Sequence, residues 1–341
     1  MGTGYVYDPR FLEHTLAGHP ENRHRLERIL QVLTEQGVLE RLVSIPAQPI
    51  SEDQLQGVHT PAHIARVRQV AEQGGGHLDA DTYVTPHSYD VALLAAGGLV
   101  HLVEAVLAGD VDNGFALIRP PGHHATRSRG MGFCLFNNVA LAAHVALKER
   151  GLERVLIVDF DVHHGNGTQD IFYQDPTVLY FSTHQYPFYP GTGWIAETGQ
   201  GAGKGYTVNV PLPPGVGDEG YAAIFEQILW PVAERFRPQL ILVSAGYDAH
   251  WDDPLAMMRL SLQGYAHLAR ELVAMATHLC QGRVIFTLEG GYHQQALAYG
   301  VLNTLHALLG EQEVVDPLGP SPHPEREIEE QIQKVKALHG L

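Results

Sequence analysis

The chain has 341 residues, 45% of them hydrophobic and 18% charged, with a formal net charge of −16 and two cysteines. This is a globular composition with apolar residues enough for a sizeable core. The negative balance argues against nucleic-acid binding and for cationic partners, and two cysteines exclude a disulfide framework and a Cys-rich zinc module.

The opening stretch "MGTGYVYDPRF" has no basic segment leading into a long apolar one, and no apolar run approaches the ~18 residues of a membrane span. The expectation is a cytoplasmic protein without membrane contact. Along the chain, short β-branched runs alternate with helix-length amphipathic stretches. Strands are predicted at "GFALIRP" (114–120), "RVLIVDFD" (154–161), "TVLYFSTH" (177–184), "YTVNVPL" (206–212), "QLILVSAGYD" (239–248) and "RVIFTLEGGY" (283–292). Helices fall between them, as in "NNVALAAHVALKERG" and "GYAAIFEQILWPVAERF". The alternation predicts an α/β fold, an open, mostly parallel sheet with helices on both faces. The tail "PSPHPEREIEEQIQKVKALHGL" predicts a Pro-broken turn and a charged, exposed helix. Residues 1–315 are therefore expected to form one domain and residues 316–341 a peripheral C-terminal helix.

Ligands of open parallel sheets bind outside the carboxyl ends of the strands. Here those ends carry "PGHH", "VHHGNG", "DAHWDDP" and "GGYH". Residues two apart share a face of a strand, so Asp159, Asp161 and His163 should point the same way. Asp161 and His163 supply a carboxylate oxygen and an imidazole nitrogen for one metal ion, and Asp248 is the best candidate for a third ligand. Such a set leaves a coordination position open, as catalysis requires. Asp159 is placed to orient a histidine ring from behind. His123 and His124 titrate in the range needed for a general base and a general acid. Tyr292, after two glycines, could donate its phenol proton to a developing oxyanion. "GQGAGKGY" (199–206) lacks the first glycine and the Ser/Thr of a phosphate loop and precedes a strand, so it is rejected as one. Cys134 in "GFCLFN" reads as packing, and His101, His144, His267 and His278 lie in helical patterns and read as surface or core residues.

Five segments in colinear order, "RPPGHH" (119–124), "GMGFCLFNN" (130–138), "DFDVHHGNGTQ" (159–169), "SAGYDAHWDDPL" (244–255) and "LEGGYH" (288–293), resemble the histone deacetylase and acetylpolyamine amidohydrolase family. "HPENRHR" (19–25) resembles an early element of that family, and "VHHGNGTQ" its class II-like bacterial amidohydrolases. The resemblance implies the arginase/deacetylase fold and a Zn²⁺-dependent deacetylase acting on acetyl-lysine or a similar acylated amine, with Fe²⁺ as an alternative metal. It implies Asp161, His163 and Asp248 as metal ligands and His124 as general base and then acid. His123 would be its electrostatic partner, backed by Asp159, with Asn166 behind His124. Tyr292 would polarise the acetyl carbonyl. Phe133 and Tyr189 would wall the lysine stem, the Gly132 carbonyl would accept from the substrate amide, and Asp81 would grip the substrate backbone. A structural K⁺ would sit near Asp159, Asp161, His163 and Ser182. Partners are expected to be small acylated amines or acetyl-lysine peptides, and the branch often forms homo-oligomers.

Three alternatives stay open. An acetylpolyamine deacetylase of one branch would carry an acid where this chain has Leu255. A dimanganese ureohydrolase of the same fold is suggested by "DAHWD" (248–252) but not by "RPPGHH" or "EGGY". A non-catalytic acetyl-lysine binder would not need His123, His124 and Tyr292 together.

Overall fold

Buried β-branched runs build one parallel sheet. The computed structural model, which describes residues 2–341, has ten strands: β1 (Thr3–Val6), β2 (Val43–Ser44), β3 (Gly76–His77), β4 (Tyr83–Val84), β5 (Asn113–Ala116), β6 (Val155–Asp159), β7 (Val178–Gln185), β8 (Thr207–Leu212), β9 (Leu240–Ala245) and β10 (Val284–Leu288). β3 and β4 form a small antiparallel hairpin. The other eight form a sheet in the order β2-β1-β5-β10-β9-β6-β7-β8, with every neighbouring pair parallel. Residues 155–158 of β6 are fully buried, as a sheet covered on both faces demands. Arg23–Glu35, Leu262–Cys280 and Gln294–Leu308 pack together in one group of helices, and Ser88–Ala108 and Asn138–Lys148 in another.

The topology places the site. From β6 the chain moves outward through β7 and β8, then returns so that β9 lies on the other side of β6. The strand order reverses there, opening a crevice at the carboxyl ends of β6 and β9. β10 and β5 follow next to β9, so four adjacent strands deliver 159–163, 246–248, 289–292 and 119–124 to one edge.

The structure corrects four sequence expectations. The strands predicted at 114–120, 154–161, 239–248 and 283–292 run too far at their carboxyl ends: β5 stops at Ala116, β6 at Asp159, β9 at Ala245 and β10 at Leu288. Asp161 and His163 thus lie in a turn rather than on a strand face. Local side-chain bonds shape that turn: Asp159 Oδ1 accepts from the Asp161 N–H at 3.2 Å, and Asp161 Oδ1 from the His163 N–H at 2.9 Å. β1 and β2 were not anticipated, because four and two residues are too few for a periodic signal. Helix Ser88–Ala108 is long and apolar enough to cross a membrane, contrary to the expectation that no run approaches that length, but 67% of its apolar window is buried inside the fold. The C-terminal helix Glu329–His339 is exposed on one face only. Ile332 and Val335 are fully buried, and Gln331 Nε2 donates to the Pro211 carbonyl of β8 at 2.8 Å.

A buried ionic cluster ties the N-terminal segment to the catalytic edge. Glu21 Oε2 accepts from Arg119 Nη2 at 2.6 Å, Oε1 accepts from Arg119 Nε, and Arg25 Nη1 lies 3.1 Å from Oε1. Arg119 also donates to the carbonyls of Phe11 and His14, and Arg25 to those of Gly291 and Glu289. Burial alone would push the Glu21 carboxyl up. The guanidiniums of Arg119 and Arg25 outweigh it and hold the group down at about 2. Removing the shared carboxylate strands two buried cations, which costs about 3–5 kcal/mol. Glu21→Gln is therefore expected to lower unfolding stability by that amount in urea titrations at pH 7. A depressed carboxylate stabilises above its unfolded value near 4.5 and loses that contribution as pH falls toward 2. The difference between wild type and variant should shrink over that window; a gap that stays constant on acidification would show that Glu21 carries no charge in the fold.

Candidate active site

The two carboxylates at the crevice are buried and have no Lys or Arg partner among the described residues. Asp248 Oδ1 accepts from the Val162 N–H at 2.9 Å, and Asp161 Oδ2 from the Gly290 N–H at 2.8 Å. These backbone donors fix both side chains. His163 Nδ1 then lies 3.2 Å from Asp161 Oδ1 and 3.2 Å from Asp248 Oδ2. One donor atom from each residue falls within 4.8 Å of the others. The His163 ring stacks on Phe188, centroids 5.3 Å apart, which sets its orientation. Two buried carboxylates and an imidazole converging without a Lys or Arg among the described residues fit a divalent cation. Gly290 is required for the approach, since a Cβ there would meet Asp248 Oδ2 at 2.2 Å and Asp161 Oδ2 at 2.6 Å.

Two imidazoles stand beside the cluster in opposite charge states. Their centroids are 4.0 Å apart. His123 Nδ1 is 3.1 Å from Asp159 Oδ2, which also accepts from the Tyr180 hydroxyl at 3.1 Å. Burial would lower the His123 imidazolium, but Asp161 and Asp159 outweigh it and raise the group to about 10. His124 is pushed well below its ordinary value by burial and by the charge of His123. Its Nδ1 lies 2.8 Å from Asn166 Oδ1. A neutral ring donating through Nδ1 to that carbonyl keeps a free lone pair on Nε2.

A cavity of about 220 Å³ opens above these groups. His123, His124, His163, Gly132, Phe133, Tyr189, Leu255, Tyr292 and, at the mouth, Asp81 line it. Phe133 meets the Tyr292 ring edge-on at 5.9 Å, and Tyr189 meets His124 edge-on at 5.2 Å. Gly132 (φ +56°) admits this packing; a Cβ would strike the His124 ring at 2.4 Å. The Gly132 carbonyl accepts from the Cys134 thiol at 3.4 Å. Ser182 faces Asp159 in register across β6 and β7, but its hydroxyl pairs with His184 Nδ1 at 2.9 Å. The Cys134 thiol is buried and pushed up, which suits packing rather than nucleophilic attack. The other residues of "DAHWD" do not join the metal cluster: Asp252 is half-exposed and lies 3.3 Å from His293.

Several supporting residues escaped the sequence reading. Glu289 accepts from the Gly122 and His123 N–H groups at 2.7 and 3.2 Å, and burial raises its carboxyl to about 7. Asp253 accepts from the Tyr292 and His293 N–H groups at 2.7 and 3.0 Å. Arg25 lies 5.1 Å over the Tyr292 ring. Glu289 and Asp253 sit within motifs already singled out, but nothing in their spacing says that they bond backbone from distant loops. Tyr180 and Phe188 carried no signal of their own.

A family model described as the histone deacetylase domain matches residues 19–308. A probable deacetylase of Archaeoglobus fulgidus is 46% identical over 314 residues, covering 91% of this chain and 87% of that protein. The histone deacetylase-like amidohydrolase of Pseudomonas aeruginosa is 39% identical over 317 residues, 92% of this chain and 82% of its own length. The polyamine deacetylase HDAC10 of Homo sapiens is 40% identical over 361 residues, covering 100% of this chain and 52% of the human protein. The crystal structure of the HDA15 HD domain matches with a TM-score of 0.90 at 39% identity, over 99% of this chain and 93% of that one. A deacetylase domain matched over most of the length, on an eight-stranded parallel sheet, establishes that the chain belongs to the histone deacetylase family and is a hydrolytic deacetylase.

Proposed function

We propose that the enzyme hydrolyses the acetyl amide of a lysine side chain, or of a similarly apolar-stemmed amine, with Zn²⁺ held by Asp161, His163 and Asp248. One observation carries the reading: the three donor atoms converge at a cavity lined by a neutral His124, a cationic His123 and Tyr292. A bound divalent ion supplies Lewis acidity to a carbonyl and acidity to a water molecule; Fe²⁺ is the alternative for such an O,O,N set. The His124 Nε2 lone pair takes a proton from the attacking water as the O–C bond forms. The same nitrogen returns that proton to the amine as the C–N bond breaks, leaving acetate and free amine. His123 keeps its proton, held by Asp159, and offsets the negative charge that grows on the carbonyl oxygen. The Tyr292 phenol donates to that oxygen. Asn166 holds the His124 ring in the tautomer this cycle needs.

Phe133 and Tyr189 wall the stem, where each buried CH₂ contributes about 0.8 kcal/mol. The Gly132 carbonyl accepts from the substrate amide, and Asp81 at the mouth holds the substrate backbone. A structural K⁺ beside Asp159, Asp161, His163 and Ser182 belongs to the same reading, supported by the register of Asp159 and Ser182. Two buried, unpaired cysteines support a reducing compartment such as the cytoplasm. The net charge of −16 supports small cationic or peptide substrates over nucleic acid. The proposal includes no membrane partner, and homo-oligomers are compatible with it.

Tyr292→Phe removes one hydroxyl and no metal donor. It is expected to lower turnover of an acetyl-lysine peptide about 100-fold or more, with zinc content by elemental analysis unchanged. Equal turnover would remove the phenol from the chemistry.

Acetylpolyamine deacetylation is the second reading, favoured by the acidic mouth around Asp79 and Asp81, where burial and the neighbouring Asp79 push the Asp81 carboxyl up. Leu255 lines the cavity and offers no charge to a distal ammonium. N-acetylputrescine is therefore expected to be the poorer substrate. Leu255→Glu should raise its kcat/KM relative to acetyl-lysine peptide by about fivefold, the worth of one partly exposed ion pair at the strong end. Wild-type enzyme that already prefers N-acetylputrescine would reverse the assignment.

A further inference from the structure

At the opposite pole of the sheet, a cleft of about 740 Å³ opens beneath the amino ends of β6, β7 and β8. It shares no residue with the catalytic cavity. Four basic side chains line it, Arg154, Lys204, Arg235 and Arg237, and no acidic one does. That concentration occurs in a chain whose 38 acidic residues outnumber its 22 Lys and Arg. Arg154 is 3.3 Å from the exposed Glu153 carboxylate and also donates to the Arg237 carbonyl. Arg235 donates only to the His339 carbonyl, and among the described residues Lys204, Arg235 and Arg237 have no carboxylate at ion-pair distance. Lys204 comes from the Gly-rich segment 199–206, which fails as a phosphate loop by sequence but brings its ammonium to this wall.

The fifth polar element is His339 of the C-terminal helix. It lines the cleft, is only 8% exposed, and its Nε2 has no hydrogen-bond partner. A buried polar atom without a partner is costly in a finished fold and marks a place where a ligand can complete the bonding. The apolar wall includes Tyr206 and Phe236, whose rings meet edge-on at 5.9 Å. A cleft of this volume holds a ligand of a few hundred daltons.

We propose that this cleft binds a nucleoside polyphosphate, its phosphates on Arg154, Lys204, Arg235 and Arg237 and its base against Tyr206 and Phe236. Guanidinium forks pair with phosphate oxygens in a planar, charge-assisted geometry, and an aromatic wall adds stacking for a flat base. The ligand bridges the amino ends of the strands and the end of the C-terminal helix, so its binding stabilises the docking of that helix.

Calorimetric titration of the metal-loaded full chain with ATP, inorganic triphosphate and adenosine tests the assignment, with magnesium in excess to protect the catalytic metal. ATP is expected to bind, triphosphate more weakly, and adenosine not measurably. The double variant Lys204→Glu/Arg237→Gln touches neither the catalytic cavity nor, among the described residues, any side-chain hydrogen bond or ion pair. It should weaken ATP binding roughly tenfold or more and leave acetyl-lysine peptide turnover and the ligand-free melting temperature unchanged. Tyr206→Leu should weaken ATP but not triphosphate. No ATP binding at millimolar concentration, an unchanged affinity in the double variant, or triphosphate binding as tight as ATP would each overturn the proposal.

Discussion

Two carboxylates buried without a Lys or Arg partner among the described residues are the constraint on which this structure turns. Asp161 and Asp248 stand at the ends of neighbouring strands, 3.2 Å on either side of one imidazole nitrogen. Leaving such charges in a low-dielectric interior is expensive, and the fold answers in two ways. It gives each carboxylate a backbone N–H from another strand end, Val162 after β6 for Asp248 and Gly290 after β10 for Asp161. It leaves the remaining deficit to a cation. The glycines of "SAGYD" and "EGGY" follow from this crowding, because a Cβ at 246 or 290 would lie inside the carboxylates.

The same negative field sets the states of the histidines. His123 faces Asp161 and Asp159 and is held protonated. His124 faces His123 and an amide carbonyl, and is held neutral. Sequence-adjacent residues of one type thus differ in charge, one cationic and one neutral, because a strand-to-loop turn aims them at different neighbours. The two rings are distinguished by what stands behind each, a carboxylate for His123 and an amide for His124.

This explains how much was legible beforehand. The alternation of apolar runs exposed the parallel sheet, and the clustering of ligand-type residues at its carboxyl ends exposed the site. What failed was local. Asp161 and His163 were placed together by strand periodicity, yet they lie past the end of β6 in a turn stitched by their own carboxylates. The C-terminal helix looked exposed because its charged residues dominate, while Ile332 and Val335 were enough to dock it. Helix Ser88–Ala108 is interrupted by His101 and Glu104, which hid how apolar the rest of it is. Glu289, Asp253 and Glu21 bond partners 39 to 167 positions away. No single-sequence pattern encodes such pairings.

The arginines nearest the site are engaged away from its carboxylates. Arg25 and Arg119 lie close enough to the catalytic edge to bond the carbonyls of Glu289 and Gly291 and the N-terminal segment. Glu21 engages both guanidiniums, and backbone carbonyls accept further N–H groups of each. The early "HPENRHR" segment thereby acts on chemistry it never touches. It keeps two permanent cations fixed beneath the Gly-Gly-Tyr turn, where Arg25 steadies the Tyr292 ring from one side. Among the described residues, neither guanidinium pairs with Asp161 or Asp248.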